Sequence, residues 1–412
     1  MASSVGIGGG PDPAAIAKAM VVDEPIPLGA WRLPPELDML RDTVRRFVRD
    51  KVAPAESKLD PDAAGLEPAQ LAALQAEARQ AGLWALATPE SKGGAGLNVL
   101  AQVVVAEEAA KCRLGAFFPA AGAIGGDPPS VIFQGSPAQF ERYGRPIVEG
   151  RMPKAFTAIS EASGGSDPAR AIACRAVRDG DHYVLDGSKT WTTHAGSAEW
   201  GIVYARTGEP GRRDGISCFI VETGWPGLTR TKMSVMIANS PHELHFDGCR
   251  VPVANRIGGE GQGFALADDF LTRGRIVYGA GPIGIAEEAL RLTVEWAKQR
   301  HVFGGLLSDK QGAQWMLADC RIALEAARML IYRAAWKADL GESARVDAAM
   351  AKLSATEAAF KTLDTCIQLF GGLGVSKELP LERWFRELRI KRLGEGATEI
   401  QRMIVARDMF RG

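Results

Sequence analysis

Ile159-Ser160-Glu161-Ala162-Ser163-Gly164-Gly165-Ser166-Asp167, followed after two Asp-Gly pairs by Lys189-Thr190-Trp191-Thr192-Thr193, is the stretch on which the reading of this chain turns. Small hydroxyl residues and glycines fill its first part, so backbone and short side chains can come close to a ligand. Trp191, flanked by hydroxyl residues, stands at the end of an expected strand. Hydroxyls and N–H groups for a rim and an indole for a face suit a large, flat, polar-edged cofactor.

Around this stretch the apolar pattern has a period of two. Ala176–Arg178 and His182–Leu185 flank Asp179-Gly180, a hairpin signal. Asp186-Gly187 is expected to turn the chain again toward Thr190–Thr193, and further strands are expected at Gly201–Ala205, Ile216–Val221, Thr229–Met233 and Glu243–Phe246. On the amino-terminal side the period is helical. Leu37, Leu40, Val44 and Phe47 share a face, and Pro54 is expected to close their helix. Leu71, Leu74, Ala78 and Leu83 repeat the pattern, and Gly93–Gly96 precedes a helix around Val103–Ala110. Beyond Gly258–Gly263 the helical pattern returns, with Ile283, Ala286, Leu290, Thr293 and Ala297 on one face and Met316, Cys320, Ala323, Ala327 and Leu330 on the next. The expected fold is mainly α with a central antiparallel β domain. Its expected divisions are a flexible Gly/Pro/Ala-rich arm over 1–35, a helical domain over 36–152, a β domain over 153–260 and a helical bundle over 261–412.

A length of 412 residues leaves room for two or three domains. Lys plus Arg and Asp plus Glu both number 49, so no global field attracts nucleic acid or an anionic membrane. No apolar run approaches a membrane span. The first residues lack the charged leader and apolar stretch of a signal peptide, and six cysteines without paired spacing read as reduced thiols; a cytoplasmic address is expected. His242 and His245 are three apart in strand-like sequence, so no metal site is expected. The chain has no Gly-x-Ser-x-Gly elbow, which leaves serine hydrolysis without support.

Chemistry is sought at isolated polar groups. Glu395 lies between Gly394 and Gly396, just before Ala397-Thr398-Glu399-Ile400 begins a helix. Desolvation of such a carboxylate raises its pKa toward that of a general base. The alternative is a helix-start residue favoured by the dipole. Arg300-His301-Val302-Phe303-Gly304 reads either as a clamp for a pyrophosphate and an adenine or as a helix ending in a Gly cap. Gln368-Leu369-Phe370-Gly371-Gly372-Leu373-Gly374 reads as close helix packing or as backbone approach to a phosphate.

Together these pieces resemble the acyl-CoA dehydrogenase family, over about Glu36 to Arg411. Ser160-Glu161 with Gly165-Ser166-Asp167 resembles that family's Thr-Glu-Pro-x-Ala-Gly-Ser-Asp loop, and Lys189–Thr193 its Lys-x-Trp-Ile-Thr strand. Arg300 to Gly304 matches Arg-x-x-Phe-Gly, Gln368 to Gly374 resembles Gln-x-x-Gly-Gly-x-Gly, and Glu395-Gly396 falls on the Glu-Gly of the base. The resemblance implies an N-terminal helical domain, a β-barrel-like middle domain and a C-terminal helical bundle, with FAD as cofactor and an acyl-CoA thioester as substrate. It places Ser160, Ser166, Trp191 and Thr193 on the FAD of the same subunit, with Ser166 also near the CoA. It places Arg300, Phe303, Gln368 and Gly372 on the FAD of a neighbour in a homotetramer. Glu395 becomes the base that yields a trans-2-enoyl-CoA while hydride passes to flavin N5; Arg275 supports it, and Gly394 and Gly396 contact substrate. An electron-transfer flavoprotein is the implied acceptor, and lipid β-oxidation the implied setting. Alternatives are an acyl-CoA oxidase, a flavin monooxygenase (against which Glu395 argues), or a non-catalytic CoA- or flavin-binding subunit. Ala397 stands where a Thr often holds the cofactor, so one hydrogen bond is expected to be missing unless Thr398 supplies it. Gly394 stands where an aromatic is common, and a widened pocket for a branched, cyclic or aryl acyl group is expected.

Overall fold

The apolar pattern changes period twice along the chain, and the architecture changes with it. A computed structural model describes residues 33–411, with helices before and after a central sheet. The expected arm over 1–35 falls, up to residue 32, outside the described residues.

Helix α1 (Pro35–Phe47) buries Leu37, Val44 and Phe47. Pro54 does not end it. A π-helical turn at Val48–Val52 leads into Ala53–Glu56, where Pro54 sits in the opening turn. There a missing N–H costs no ladder hydrogen bond. Helix α2 (Pro68–Gln80) buries Leu74 and Ala78, and α3 (Val99–Ala109) is almost wholly buried. Two side chains satisfy the free N–H groups at the start of α3. Asn98 accepts from Ala101 N at 2.9 Å, and Asp339 from the C-terminal bundle accepts from Val99 and Leu100 N at 2.7 and 3.0 Å. That cap ties the two helical regions together.

The middle strands are β1 (Phe156–Ala158), β2 (Arg175–Asp179), β3 (His182–Thr192), β4 (Trp200–Arg206), β5 (Ile216–Glu222), β6 (Leu228–Lys232), β7 (His242–Pro252) and β8 (Arg256–Ile257). They pair in the order β6-β7-β3-β2-β4-β5-β8, with β1 on β4. Pairing is antiparallel except for β1 with β4 and the single Arg175–Arg206 pair of β2 with β4. Asp186-Gly187 is a bulge rather than the expected turn: β3 runs on through it, and its register with β7 slips between Leu185 and Gly187. Gly187 has φ +133°, and a Cβ there would lie 2.7 Å from Cys174 Cα, so the bulge also brings the backbones together. Tyr183, Leu185, Phe219, Phe246 and Val251 share the apolar cluster beneath.

Five helices follow: α4 (Gly263–Ala297), α5 (Gln311–Asp339), α6 (Arg345–Phe370), α7 (Leu381–Lys391) and α8 (Thr398–Met409). The stripe expected on α4 is buried from Ile283 to Ala297. On α5 the buried stripe is Cys320, Leu324, Ala327 and Ile331, so Ala323 and Leu330 are each displaced by one residue. Both spacings fit a period of 3.6, and alanine-rich sequence does not choose between them. Helix α4 presses directly on α3, where a Cβ on Gly284 would lie 1.9 Å from Glu107 O. Among the described residues no helix is long and apolar enough to cross a membrane. All six cysteines are buried and unpaired.

Candidate active site

Sequence reading singled out Ser160 and the Lys189–Thr193 strand but not the pair that fixes their relative position. Glu161 is buried; its Oε1 accepts from Lys189 Nζ at 2.6 Å and Cys174 N at 3.0 Å, and its Oε2 from Ala173 N at 2.7 Å. Lys189, fully buried, also donates to Ile159 O at 3.1 Å, and Thr190 N donates to Ser160 O at 2.9 Å. Burial lowers the Lys189 pKa, and the Glu161 carboxylate opposes that shift. The loop is thereby clamped to β3. Both residues stand in the quoted motifs, but nothing in their separation announces a pair.

At the end of β3 the backbone takes an unusual course. Trp191 and His194 have φ of +59° and +68°, conformations that cost a non-glycine residue about 1–3 kcal/mol. The result turns Thr192 inward and leaves Trp191 58% exposed beside exposed Thr193. Ser160 is half-buried and Ser166 exposed on the clamped loop. An indole face rimmed by hydroxyls is what a flat heteroaromatic cofactor requires.

Glu395 lies in the turn between α7 and α8, outside the first turn of α8, which begins at Thr398. The dipole-favoured helix-start reading therefore does not apply. Its φ of +55° is again left-handed, and Gly396 follows at +89°. Buried donors hold this turn by its carbonyls. Arg275 Nε donates to Glu395 O at 3.0 Å, and Gln401 Nε2 to Glu395 O and Gly396 O at 3.1 and 2.9 Å. Lys352 Nζ donates to Arg392 O and Gly396 O, both at 3.0 Å. Arg275 thus grips the main chain of the residue it was expected to support. Sequence reading missed Lys352 and Gln401, which sit on helices whose periodicity marks them only as inward-facing. Glu395 Oε2 is inaccessible and has no hydrogen-bond partner among the described residues. Burial raises the Glu395 pKa, while Arg275, Lys391 and Lys352 hold it back. Among the described residues no backbone acceptor takes the Glu395 N–H, which leaves it available to a ligand.

Two expectations near Glu395 need correction or refinement. Gly394 does not leave a widened pocket: a Cβ there would lie 2.3 Å from Tyr278 Oη, so the phenol already occupies the space. Ala397 supplies no side-chain cap, and the Thr398 hydroxyl donates to Glu399 Oε1 at 3.2 Å instead.

A short segment of the N-terminal helical region touches both α7, just before the Glu395 turn, and the chain just past the end of β3. Lys391 Nζ lies 4.7 Å from the Phe117 ring centroid and 4.0 Å from that of Tyr278. The neighbouring Phe118 packs edge-on against His194, with centroids 6.4 Å apart. Arg300, Phe303, Gln368 and Gly372 are all solvent-facing. The Arg300 guanidinium lies 5.6 Å from the Trp296 ring, and Trp296 stacks on Phe370 at 5.3 Å, next to Gly371-Gly372. Gly304 is not a helix cap, since α4 ends at Ala297; it lies in a small hairpin with Phe303, which is 99% exposed. Gly371 does cap α6, and a Cβ on Gly374 would lie 2.5 Å from Ile367 O, so close packing accounts for part of that turn.

Residues 34–151, 156–249 and 261–410 match the family models for the N-terminal, middle and C-terminal domains of acyl-CoA dehydrogenase. The chain is 36% identical over 384 residues to the mitochondrial short-chain specific acyl-CoA dehydrogenase of Rattus norvegicus, covering 92% of this chain and 91% of the relative. Its structure is similar to that of butyryl-CoA dehydrogenase from Megasphaera elsdenii, with a TM-score of 0.82, 32% identity and coverage of 93% and 100%. It is also similar to PigA in its FAD complex, with a TM-score of 0.83, 26% identity and the same coverage. With three consecutive domains matched in order, the chain belongs to the acyl-CoA dehydrogenase family.

Proposed function

We propose that Glu395 is the base of an FAD-dependent α,β-dehydrogenation of acyl-CoA thioesters to trans-2-enoyl-CoA. Family membership makes the chain an acyl-CoA dehydrogenase with FAD as cofactor. One observation carries it: a buried carboxylate oxygen with no partner among the described residues, on a turn gripped at its backbone carbonyls. A group so placed is free to take a proton, and its raised pKa brings it closer to the working pH of a general base.

Ser160, Thr193 and the Trp191 face fit the rim and plane of FAD, with Ser166 on the adjoining loop toward the CoA and cofactor phosphates. When bound, FAD supplies the acceptor for the hydride leaving the substrate β-carbon. The protein's own part is the proton. Glu395 takes it from the α-carbon, and the Glu395 N–H donates to the thioester carbonyl, stabilising the negative charge that develops there. Gly396 lets the backbone reverse beside that carbonyl, and Gly394 keeps the approach free of a second side chain. Arg275 acts as a positioning residue through the Glu395 carbonyl.

Arg300, Phe303, Gln368 and Gly372 face outward and fit contact with a second subunit's FAD. Exposed Phe303, Trp315, Ile322 and Val375 give the C-terminal bundle apolar surface that a homotetramer would cover. The family resemblance supports an electron-transfer flavoprotein as acceptor and β-oxidation as setting, and the domain divisions near 152 and 260 follow the same reading. Unpaired buried cysteines support a reducing compartment such as the cytoplasm. Anaerobic mixing of the holoenzyme with butyryl-CoA tests the activity. Loss of the oxidised-FAD absorbance is expected, with little peroxide formed in air. Absence of bleaching by any acyl-CoA would contradict the reading, and stoichiometric peroxide would make the enzyme an oxidase.

A further inference from the structure

We propose that Tyr278 is the specificity-determining wall of the acyl site, restricting it to short, unbranched acyl-CoA thioesters. This assignment rests on the dehydrogenase reading and adds the substrate class. Tyr278 and position 394 compete for one volume: a Cβ on Gly394 would lie 2.3 Å from Tyr278 Oη and 3.0 Å from its Cζ. An aromatic side chain can therefore stand next to the base from either element, but not from both. In this chain it comes from α4.

Helix geometry explains how α4 delivers it. Tyr278 follows Arg275 by three residues, so both lie on one face of α4. Arg275 holds the Glu395 carbonyl at 3.0 Å, and the phenol consequently stands beside the same turn. Lys391 approaches the ring from α7, with Nζ 4.0 Å from the Tyr278 centroid and 4.7 Å from that of Phe117. The phenol stands between Gly394 and a cation that favours its face. Burial and the Glu395 carboxylate both raise the phenol's pKa, so it stays neutral beside the base.

An acyl chain presenting its α-carbon to Glu395 meets this wall directly. A straight chain of few carbons passes it edge-on, whereas a branch at the β-carbon collides with a ring backed by Gly394 and Lys391. The expectation from Gly394 alone, a pocket open to bulky groups, is thereby reversed.

The test compares FAD-loaded wild type with Tyr278→Phe, Tyr278→Val and the swap Tyr278→Val/Gly394→Tyr. Each is measured for anaerobic bleaching by butyryl-CoA and isovaleryl-CoA, and for calorimetric binding of the matching non-oxidisable thioether analogues. Wild type and Tyr278→Phe are expected to prefer the straight chain in both measurements. Tyr278→Val is expected to raise the isovaleryl-to-butyryl ratio of kcat/KM by about tenfold or more, the scale of a methyl-sized change in an apolar pocket. The change should appear as tighter binding of the branched analogue rather than as weaker chemistry on butyryl-CoA. The swap should return the ratio toward wild type. An unchanged ratio in an FAD-loaded Tyr278→Val overturns the assignment. If that variant loses FAD, the swap decides: retention of FAD with wild-type preference supports the shared volume, and a bulky-substrate preference overturns it. A wild type that binds the straight analogue tightly yet is bleached by neither thioester would sink the dehydrogenase reading and leave the wall in place. A wild type that prefers the branched analogue would sink the wall alone.

Discussion

Around Trp191 the charged groups are buried in a closed pair, whereas around Glu395 cations surround a carboxylate that keeps one oxygen without a partner among the described residues. Glu161 takes three hydrogen bonds from Lys189 and two backbone N–H groups, so its charge is spent on holding a loop to a strand. Glu395 takes none at Oε2 among the described residues, and Arg275 and Gln401 bind its carbonyl instead. The difference separates a support from a reactive group. A satisfied buried charge fixes geometry, and an unsatisfied one keeps the capacity to change protonation. On the proposed reading it also divides the labour of the site, with cofactor placement in the β domain and proton transfer in the turn between α7 and α8.

The comparison is broken most severely by opening the closed pair. Lys189→Met leaves Glu161 buried with only its backbone donors, and removing one partner of such a pair costs about 3–5 kcal/mol. Denaturant unfolding should show that loss, together with weakened retention of FAD. A variant as stable as wild type would mean that the pair does not hold the loop.

A smaller, purely electrostatic change sharpens the other side. The Glu395 pKa is raised by burial and held back by Arg275, Lys391 and Lys352, with the Tyr278 phenol neutral beside them. The proposed base works only when deprotonated, so bleaching is expected to slow as pH falls through its pKa. Lys391→Met removes one restraining cation and should move that acidic limb to higher pH. The difference from wild type should fade above about pH 8, since burial pushes the Lys391 pKa itself down to about 8. A limb that stays in place or moves to lower pH would show that Lys391 does not act on the base.

Local sequence made the proposed cofactor face of the β domain legible. Ser160, Ser166, Trp191 and Thr193 fall within one stretch whose hairpin pairing is marked by Asp179-Gly180. The same stretch misled at Asp186-Gly187, because a bulge and a turn call for the same residues and only the partner strand distinguishes them. Glu395 was visible through its flanking glycines. Its surroundings were not, because Tyr278, Lys352 and Lys391 come from three helices and meet only in the packed bundle. The wrong inference from Gly394 has that origin. A missing side chain shows in sequence, but a distant one filling its place does not. Pro54 failed as a stop signal for a related reason, since a π-helical turn reset the ladder just before it.

The division of labour is tested most directly by Glu395→Gln, measured for bound FAD and for anaerobic bleaching by butyryl-CoA in one preparation. The substitution preserves shape and removes only the ability to accept a proton. FAD content should match wild type while the bleaching rate falls about 10²–10⁴-fold, the usual contribution of a positioned base. Full FAD content with undiminished bleaching would contradict the account and place the base elsewhere.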